Sequence, residues 1–455
     1  MTEKFIPINK VKEISDSVLV YGHFSTIHPG HIRYLRNASK KAKNLIVLLI
    51  GDNDKSQKYQ YTQQERAEGL SSVEIITNIV LLDGAELSLA IERIKPSFLV
   101  LGREFKNSKN PLIFNAMKTL QAQGGKVEFH AGLINYANSD LLLDSAETLK
   151  YKKYSEFRKA CKRQGLTLND LLKAVDKFDN SNLIVIGDSI LDQYSACEAL
   201  GISAEAPVVV VKELEHKNFI GGAALVAANV GALGAKCDFI SVLGKDENAN
   251  SLKNSLKMEN ISQHFIIDES RSTTFKKRYM VENQKLFRVS KLDDEMLNST
   301  IEKKIISKLE MLAPKADGII ISDFVYGVIT QNVLKKLNEL AKKYNLMLFG
   351  DLQCSSQVGS VTKFKGYDLL CPNEREARIA LQDKELGLEA LTQKLFRETD
   401  SQRIIMKLGA EGFIAYDNNK SLKKMNIQSF PSLSTNPIDV SGAGDTVIAY
   451  IASGI

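Results

Sequence analysis

Near the end of the chain the run DVSGAGDT sets Gly442, Ala443 and Gly444 directly before Asp445 and a stretch able to form a helix. Glycine-rich backbone of this kind can turn successive N–H groups toward one point, and a helix starting there adds the positive end of its dipole. Together they suit the negative charge of a phosphoryl group in transfer. Asp445, at the helix start, is placed to accept the proton of an attacking hydroxyl. A second constellation lies in GHFSTIHPGHIRYL. Here Gly22 permits close backbone approach after an apolar strand, and His28 and His31 flank Pro29 and Gly30 where a helix begins. Two imidazoles at a helix N-terminus can donate to nucleotide phosphates and stabilise charge that develops during attack on the α-phosphorus. HxxH spacing also occurs at zinc sites, but the Pro-Gly turn between the histidines argues against that reading, and two incidental loop histidines are the plain alternative. Lys55 and Lys58, after the next strand, read equally as phosphate contacts or as ordinary surface lysines.

The elements that position these residues form two α/β patterns. SVLVYGHF reads as a buried strand, HIRYLRNASKKA as a helix and NLIVLLIGD as a second strand, a rhythm that continues through FLVLGREF and fades near Leu143. Apolar strands alternating with helices imply parallel pairing with right-handed crossovers. A basic, helix-prone stretch from Lys150 to Arg163 follows, then TLNDLLKAV, in which Thr167 and Asp170 fit a capping box. That basic stretch reads as a solvated charged helix sooner than as an anion-binding arm. A second pattern begins at NLIVIGDSILDQY and runs to the end through GIIISDF, LMLFGDLQ, YDLLCPNE and RIIMKLG. The expected division is residues 1–144, a linker with entry helix at 145–181, and residues 182–455.

Composition sets the class. The 455 residues are too many for one ordinary domain, and 44% apolar with 25% charged residues describes a globular protein with large cores. A net charge of +6 suggests small anionic ligands, and no basic stretch interleaved with aromatics points to nucleic acid. Five scattered cysteines with no CxxC pair read as buried thiols of a reducing compartment. With no apolar leader and no run of 18 apolar residues, the expectation is a cytoplasmic protein without a membrane partner.

Two resemblances follow from the motifs. From Val18 to about Leu143 the chain resembles cytidylyltransferase-like nucleotidyltransferases with their HxGH signature; YTQQERAEGLSSV is similar to the family's arginine-bearing helix, here Arg66. That resemblance implies a Rossmann-like domain using ATP or CTP. The family commonly has aspartate where Ser25 stands, Gly-Asp where Arg103 and Glu104 stand, and Ser-Thr-Thr near Tyr136 to Asp140. From Asn182 to Ile455 the motifs VIGDSILDQY, IGGAALVAANVGALGA, CPNEREA and DVSGAGDT, in this order, resemble the ribokinase-like, or PfkB, carbohydrate kinases. The resemblance implies a ribokinase-like α/β domain in which Asp188, Asp192, Gly221 and Gly222 face the sugar. It also implies that Asn373 and Glu376 organise Mg²⁺ near ATP, and that Met406 to Gly412, with Lys407 and Gly409, borders the nucleotide. A carboxylate beside phosphate needs an intervening cation, so Glu376 suits that part.

Within this superfamily GISAEAPVVVVK and SDFVYGV are most similar to the kinase domain of bifunctional ADP-heptose synthases of lipopolysaccharide biosynthesis, with the domain order reversed. The resemblance implies phosphorylation of a heptose 7-phosphate-like sugar and nucleotidyl transfer to the sugar 1-phosphate, with small-molecule partners and a homodimer through the kinase domain among the assemblies. Leu225 stands where that family usually has asparagine, Gln353 ends a GDLQ in place of Asp-Pro-Lys, and Tyr326 replaces a lysine. Loss of those basic groups is expected to weaken binding of a doubly charged sugar phosphate. Kinases of this type continue well beyond the catalytic loop, so the resemblance also implies a truncated second domain. Two other readings stand beside it: a glycerol or alditol phosphate transferase fused to an unrelated sugar kinase, and a catalytically degenerate nucleotide-binding protein.

Overall fold

The computed structural model describes residues 4–24, 27, 29–52, 61–83, 87–102, 105, 110–130, 146–282, 284–354, 359–384, 386–419, 424–434 and 439–455. Ser25, His28, Lys55, Lys58, Arg103, Glu104 and residues 136–140 lie outside them. The chain divides into two compact units, Met1–Leu149 with Asp383–Leu391, and Lys150–Gln382 with Thr392–Ile455.

The first unit is built on six parallel strands, β1 (Phe5–Pro7), β2 (Ser17–Gly22), β3 (Asn44–Ile50), β4 (Asn78–Leu82), β5 (Phe98–Gly102) and β6 (Lys126–His130). Their order is β1-β4-β3-β2-β5-β6. The strands are nearly continuous runs of Val, Ile and Leu because both sheet faces are covered. One face packs Leu19, Ile46, Leu99 and Ile113. The other packs Val18, Val20, Val47 and Leu70. The strand order reverses around β2, which has β3 on one side and β5 on the other. In open α/β sheets a crevice opens beyond the carboxyl ends of strands at such a point. Gly22 ends β2 there, and the helix Pro29–Ser39 follows.

The second unit has a nine-stranded sheet and a smaller four-stranded one. The large sheet runs β11 (Ile261–Ile267), β10 (Lys236–Leu243), β7 (Asn182–Gly187), β14 (Gly318–Asp323), β15 (Met347–Leu352), β16 (Leu369–Leu370), β17 (Arg403–Lys407), β18 (Phe413–Asn419) and β19 (Lys424–Phe430). It is parallel as far as β17, and β18 and β19 are antiparallel additions. The small sheet, in the order β13 (Gln284–Lys291), β12 (Phe275–Val281), β8 (Ser189–Ile202) and β9 (Val209–Gly222), grows from the same end as the site. β7 passes through Asp188 directly into β8, and β9 returns to Gly222, the cap of the buried helix Ala223–Ala232. Both units are thus α/β, a Rossmann-like sheet and a ribokinase-like one. Upstream, the helix Leu168–Val175 starts on the expected capping box, Thr167 and Asp170 exchanging side-chain and backbone hydrogen bonds.

Candidate active site

In the second unit the turn before the last helix, Ala443–Gly454, has Gly442 at φ +79°. That left-handed backbone favours glycine, and any added Cβ would also lie 2.4 Å from Leu225 Cδ2. Asp445 sits in the first turn of the helix and is 3% exposed. Its Oδ1 accepts from Gln353 Nε2 at 2.9 Å. Burial, and then the charge of Asp351, push its carboxyl up to about 8, with Lys407 pulling the other way.

The end of β17 brings Lys407 to the same turn. Its Nζ lies 3.0 Å from the point that a Cβ on Gly444 would occupy. It donates to Asp351 at the end of β15, 2.7 Å to Oδ1 and 2.9 Å to Oδ2. Burial works against the charge of Lys407, but Asp351 and Glu376 hold its proton on and push it up. Gly409 follows Lys407 in an open turn at φ +62°.

On the other side stands the small sheet. Asp192 of β8 pairs with Arg278 of β12. Gly221 passes so close that a Cβ there would lie 2.6 Å from Asp192 Oδ2. Lys276, also on β12 and buried, stands over the rings of Phe324 and Tyr326, 5.3 and 5.2 Å from their centroids. Tyr194 of β8 donates to Asp439 at 2.7 Å, and Lys285 of β13 reaches the same carboxylate at 3.0 Å. Asp439 in turn accepts from the Ser441 backbone and hydroxyl. Burial would raise the Asp439 pKa, but these donors pull it well below the usual carboxylate range. The small sheet is in this way tied to the strap that enters the glycine turn.

In the first unit Phe24 holds φ +50°, an uncommon conformation for a bulky residue. Its ring packs on Tyr34 and on His31, the latter with ring centroids 5.0 Å apart. Gly22 makes room, since a Cβ there would meet the Phe24 ring at 3.1 Å. His31, in the first turn of the helix Pro29–Ser39, is therefore held at the carboxyl end of β2.

Residues 180–455 match the pfkB family carbohydrate kinases, which is more than half of the sequence. The chain belongs to the pfkB family. Residues 19–130 of this pfkB chain match the cytidylyltransferase-like family, so that segment precedes the kinase segment. Both matched families are enzymes that transfer groups, and the chain is a transferase with a carbohydrate kinase domain and a cytidylyltransferase-like domain. Two similar proteins are called bifunctional protein HldE: from Campylobacter jejuni subsp. doylei, 34% identical over 273 residues, 59% of this chain and 55% of that protein; and from Aliarcobacter butzleri, 34% over 276 residues, 60% and 56%. The chain spans just over half the length of these curated relatives. Among solved structures, the inhibited tetrameric phosphofructokinase-2 of Escherichia coli is 15% identical, covering 59% of this chain and 85% of that one with a TM-score of 0.48. Arabidopsis thaliana ribokinase complexed with ribose and ATP is 16% identical, covering 59% and 84% with a TM-score of 0.43.

The structure gives three of the expected site positions partners within this pfkB chain. Asp188, expected to face the sugar, has its oxygens engaged by backbone: Oδ2 accepts from the N–H groups of Phe324 and Tyr326, and Oδ1 from Val328. These contacts hold a turn in which Val325 takes φ +63°, a strained value for a β-branched residue. Burial and the charge of Asp323 push Asp188 up to about 7 in spite of its three donors. Arg66, expected at the nucleotide, is likewise engaged within the chain. Its side chain is fully buried and bonds Asp52 at 2.7 Å and the carbonyls of His23, Ile50 and Tyr61. It therefore fastens the loops after β2 and β3.

Third, Asn373 and Glu376 are turned toward each other. Asn373 Oδ1 accepts from the Glu376 N–H, and Glu376 Oε2 from the Asn373 N–H, each at 2.8 Å, forming a capping box on the helix Glu374–Leu381. Among the described residues no group of three or more His, Cys, Asp or Glu side chains is arranged around a metal ion. The pair thus fits a divalent cation only through the cation's waters, with nucleotide phosphates as the direct ligands, which is a common habit of Mg²⁺. Burial pushes Glu376 up to about 7, with Lys407 opposing and Asp351 reinforcing the shift, so added positive charge nearby would be welcome.

The structure also supplies basic groups that the sequence reading took as lost. Lys276 stands over Tyr326, and Lys407 stands beside Gln353's neighbour Gly444. Tyr194, Asp351 and Asp439 lie inside the motifs VIGDSILDQY, GDLQ and DVSGAGDT without having been assigned a part, and Lys276 belongs to none of the quoted motifs; contacts far along the chain bring them in.

Proposed function

We propose that the second domain transfers the γ-phosphoryl group of ATP to a hydroxyl of a sugar or sugar phosphate, and that the first transfers a nucleotidyl group from ATP or CTP to the resulting sugar 1-phosphate. One observation carries the kinase reading above the rest: the Gly442–Gly444 turn, the buried Asp445 and Lys407 stand together, and the charge of Asp192, on the small-sheet side, acts on Asp445. The substrate hydroxyl is oriented by Asp192, whose position is set by Arg278 and the bare backbone of Gly221 and Gly222. Asp445 accepts the hydroxyl proton as the hydroxyl oxygen bonds to the γ-phosphorus. The bond from that phosphorus to the β,γ-bridging oxygen breaks, and its electron pair leaves on ADP. The Gly442 and Gly444 N–H groups face the charge of the phosphoryl in flight, while the Ala443 N–H closes the turn on the Val440 carbonyl. Mg²⁺ bound with ATP would neutralise phosphate charge, its waters meeting Glu376 and Asn373. In the first domain His31, at the carboxyl end of β2, donates to the nucleotide phosphates, the HxGH motif supplies His28 as its companion, and Gly22 and the loops fastened by Arg66 shape the crevice.

The sugar is of the heptose 7-phosphate class, a reading supported by the resemblance of GISAEAPVVVVK and SDFVYGV to the kinase domain of ADP-heptose synthases and by Lys276 in the sugar-side wall. The full-length chain, mixed with ATP, Mg²⁺ and a panel of sugars and their terminal phosphates, is expected to release ADP fastest with a seven-carbon sugar phosphate. With the sugar 1-phosphate product it should then release pyrophosphate from ATP or CTP. Nucleotide binding with no turnover of any panel member would instead support the degenerate reading, which Leu225 at the glycine turn favours. Turnover of glycerol or alditol phosphates by the first domain would support the other.

A further inference from the structure

An ammonium has three protons to donate, and two of those on Lys407 go to Asp351. The third has no acceptor among the described residues, although the side chain is only 14% exposed. Donors so enclosed are normally satisfied, so an acceptor from outside the chain is called for. The direction it must come from is marked by Gly444, because Nζ lies 3.0 Å from the place of a Cβ on that residue and Gln353 Nε2 lies 3.7 Å from the same place. Gly444 immediately precedes Asp445. An anion held against this turn is therefore within reach of the proton acceptor as well as of the ammonium.

We propose, resting on the kinase reading above, that Lys407 is a catalytic residue of the second domain, binding the γ-phosphoryl group of ATP through its third N–H while Asp351 fixes its position. The γ-group is singled out because only the phosphorus under attack has to lie beside both the glycine turn and Asp445; in an in-line transfer ADP departs on the far side. Asp351 is 1% exposed and its two oxygens grip the ammonium on one side, which leaves the positive charge pre-positioned and facing the turn. Such a charge needs no reorganisation as the phosphoryl oxygens develop their transition-state charge. The lysine emerges from β17 and its carboxylate from β15, the strands on either side of β16, so the pair is set by the sheet and not by a loop.

The test compares ADP with the β,γ-imido analogue of ATP by calorimetry on the full-length chain, beside kcat for the best sugar. Lys407→Met combined with Asp351→Asn removes both charges together and leaves no lone buried ion. This variant, checked for parental melting, is expected to bind ADP within about threefold of the parent and to lose the imido analogue by about tenfold or more, with kcat down on the order of a hundredfold. Should it not fold, Lys407→Arg, which keeps the charge on different geometry, is expected to lower kcat with ADP affinity unchanged. Equal losses for ADP and the analogue, or no loss of either, overturn the assignment and make Lys407 a structural ion pair. A parent chain that binds both nucleotides yet phosphorylates nothing refutes the kinase reading itself, and preserved discrimination between analogue and ADP in the double variant refutes only the role of Lys407.

Discussion

Asp445→Asn should stabilise the protein while abolishing sugar phosphorylation. The carboxyl of Asp445 is raised from 3.8 to about 8, first by burial and then by Asp351. The folded state thus holds this proton more tightly than the unfolded chain, and folding is penalised as pH rises from 3.8 toward 8, where the penalty levels off. Each pH unit in that window is worth about 1.4 kcal/mol, so at pH 7 the proton that the carboxyl must take up on folding costs up to about 4 kcal/mol. Asparagine keeps an oxygen for Gln353 Nε2 and carries no charge, so most of this cost is relieved. At about 2–4 °C per kcal/mol for a domain of this size, the kinase domain of the variant should melt on the order of 5 °C or more above the parent at pH 8. The gain should shrink toward zero near pH 4. Because the same carboxylate takes the substrate proton, kcat should fall by at least about a hundredfold with nucleotide affinity nearly unchanged. Calorimetric melts at pH 5, 6.5 and 8, with kcat for the best sugar, decide it. A variant that melts below the parent at pH 8, or whose advantage does not vary with pH, would refute the charge argument; kcat within threefold would remove Asp445 from the mechanism.

Gly222→Ala should destabilise the kinase domain by roughly 2–4 kcal/mol, since Gly222 has φ +62° and an added Cβ would lie 2.4 Å from the Asp188 carbonyl oxygen; an unchanged urea midpoint would show that the turn can yield. His31→Ala should abolish pyrophosphate release from the nucleotide and leave ADP release with sugar intact, and joint loss in a folded variant would mean the two sites depend on each other. Arg66→Met should lower the stability of the first domain by about 1–3 kcal/mol, because it takes the donor from the carbonyls of His23, Ile50 and Tyr61 and from the partly exposed Asp52; a melt within 1 °C of the parent would make the arginine free to serve a ligand instead.

Most of the architecture was legible because its signals are periodic. Strands buried on both faces spell runs such as NLIVLLI and GIIIS, and the helices between them close with local caps such as Thr167 with Asp170. The glycine turn and its aspartate were legible for the same reason, being a contiguous motif. What the sequence concealed is whatever depends on partners far along the chain. Asp188 meets Phe324 and Val328 across more than a hundred residues, and nothing around GDSILD announces that its oxygens are taken. Arg66 is no different, an arginine on a polar helix that the fold turns inward to fasten two loops. The NxxE pair could be read either as metal chemistry or as a cap, and the spacing of three residues serves both.

The acidic residues of the kinase domain sort themselves by their neighbours, and the sorting separates support from chemistry. Asp192 pairs with Arg278, Asp323 with Lys363, Asp351 with Lys407 and Asp439 with Lys285. Each of these carboxylates is engaged by a neighbouring cation and serves to position it. Asp188 has backbone donors in place of a cation, and Glu376 shares Lys407 at second hand. Asp445 is left with one neutral amide, from Gln353, as its hydrogen-bond donor among the described residues. It is also the only one of these acids pushed up as far as about 8, beside the turn where a phosphoryl group would lie. Once its own proton has passed to water, the Asp445 carboxylate, with a proton affinity raised to about 8, is a stronger base toward a substrate hydroxyl than an ordinary carboxylate and suits general-base work near neutral pH.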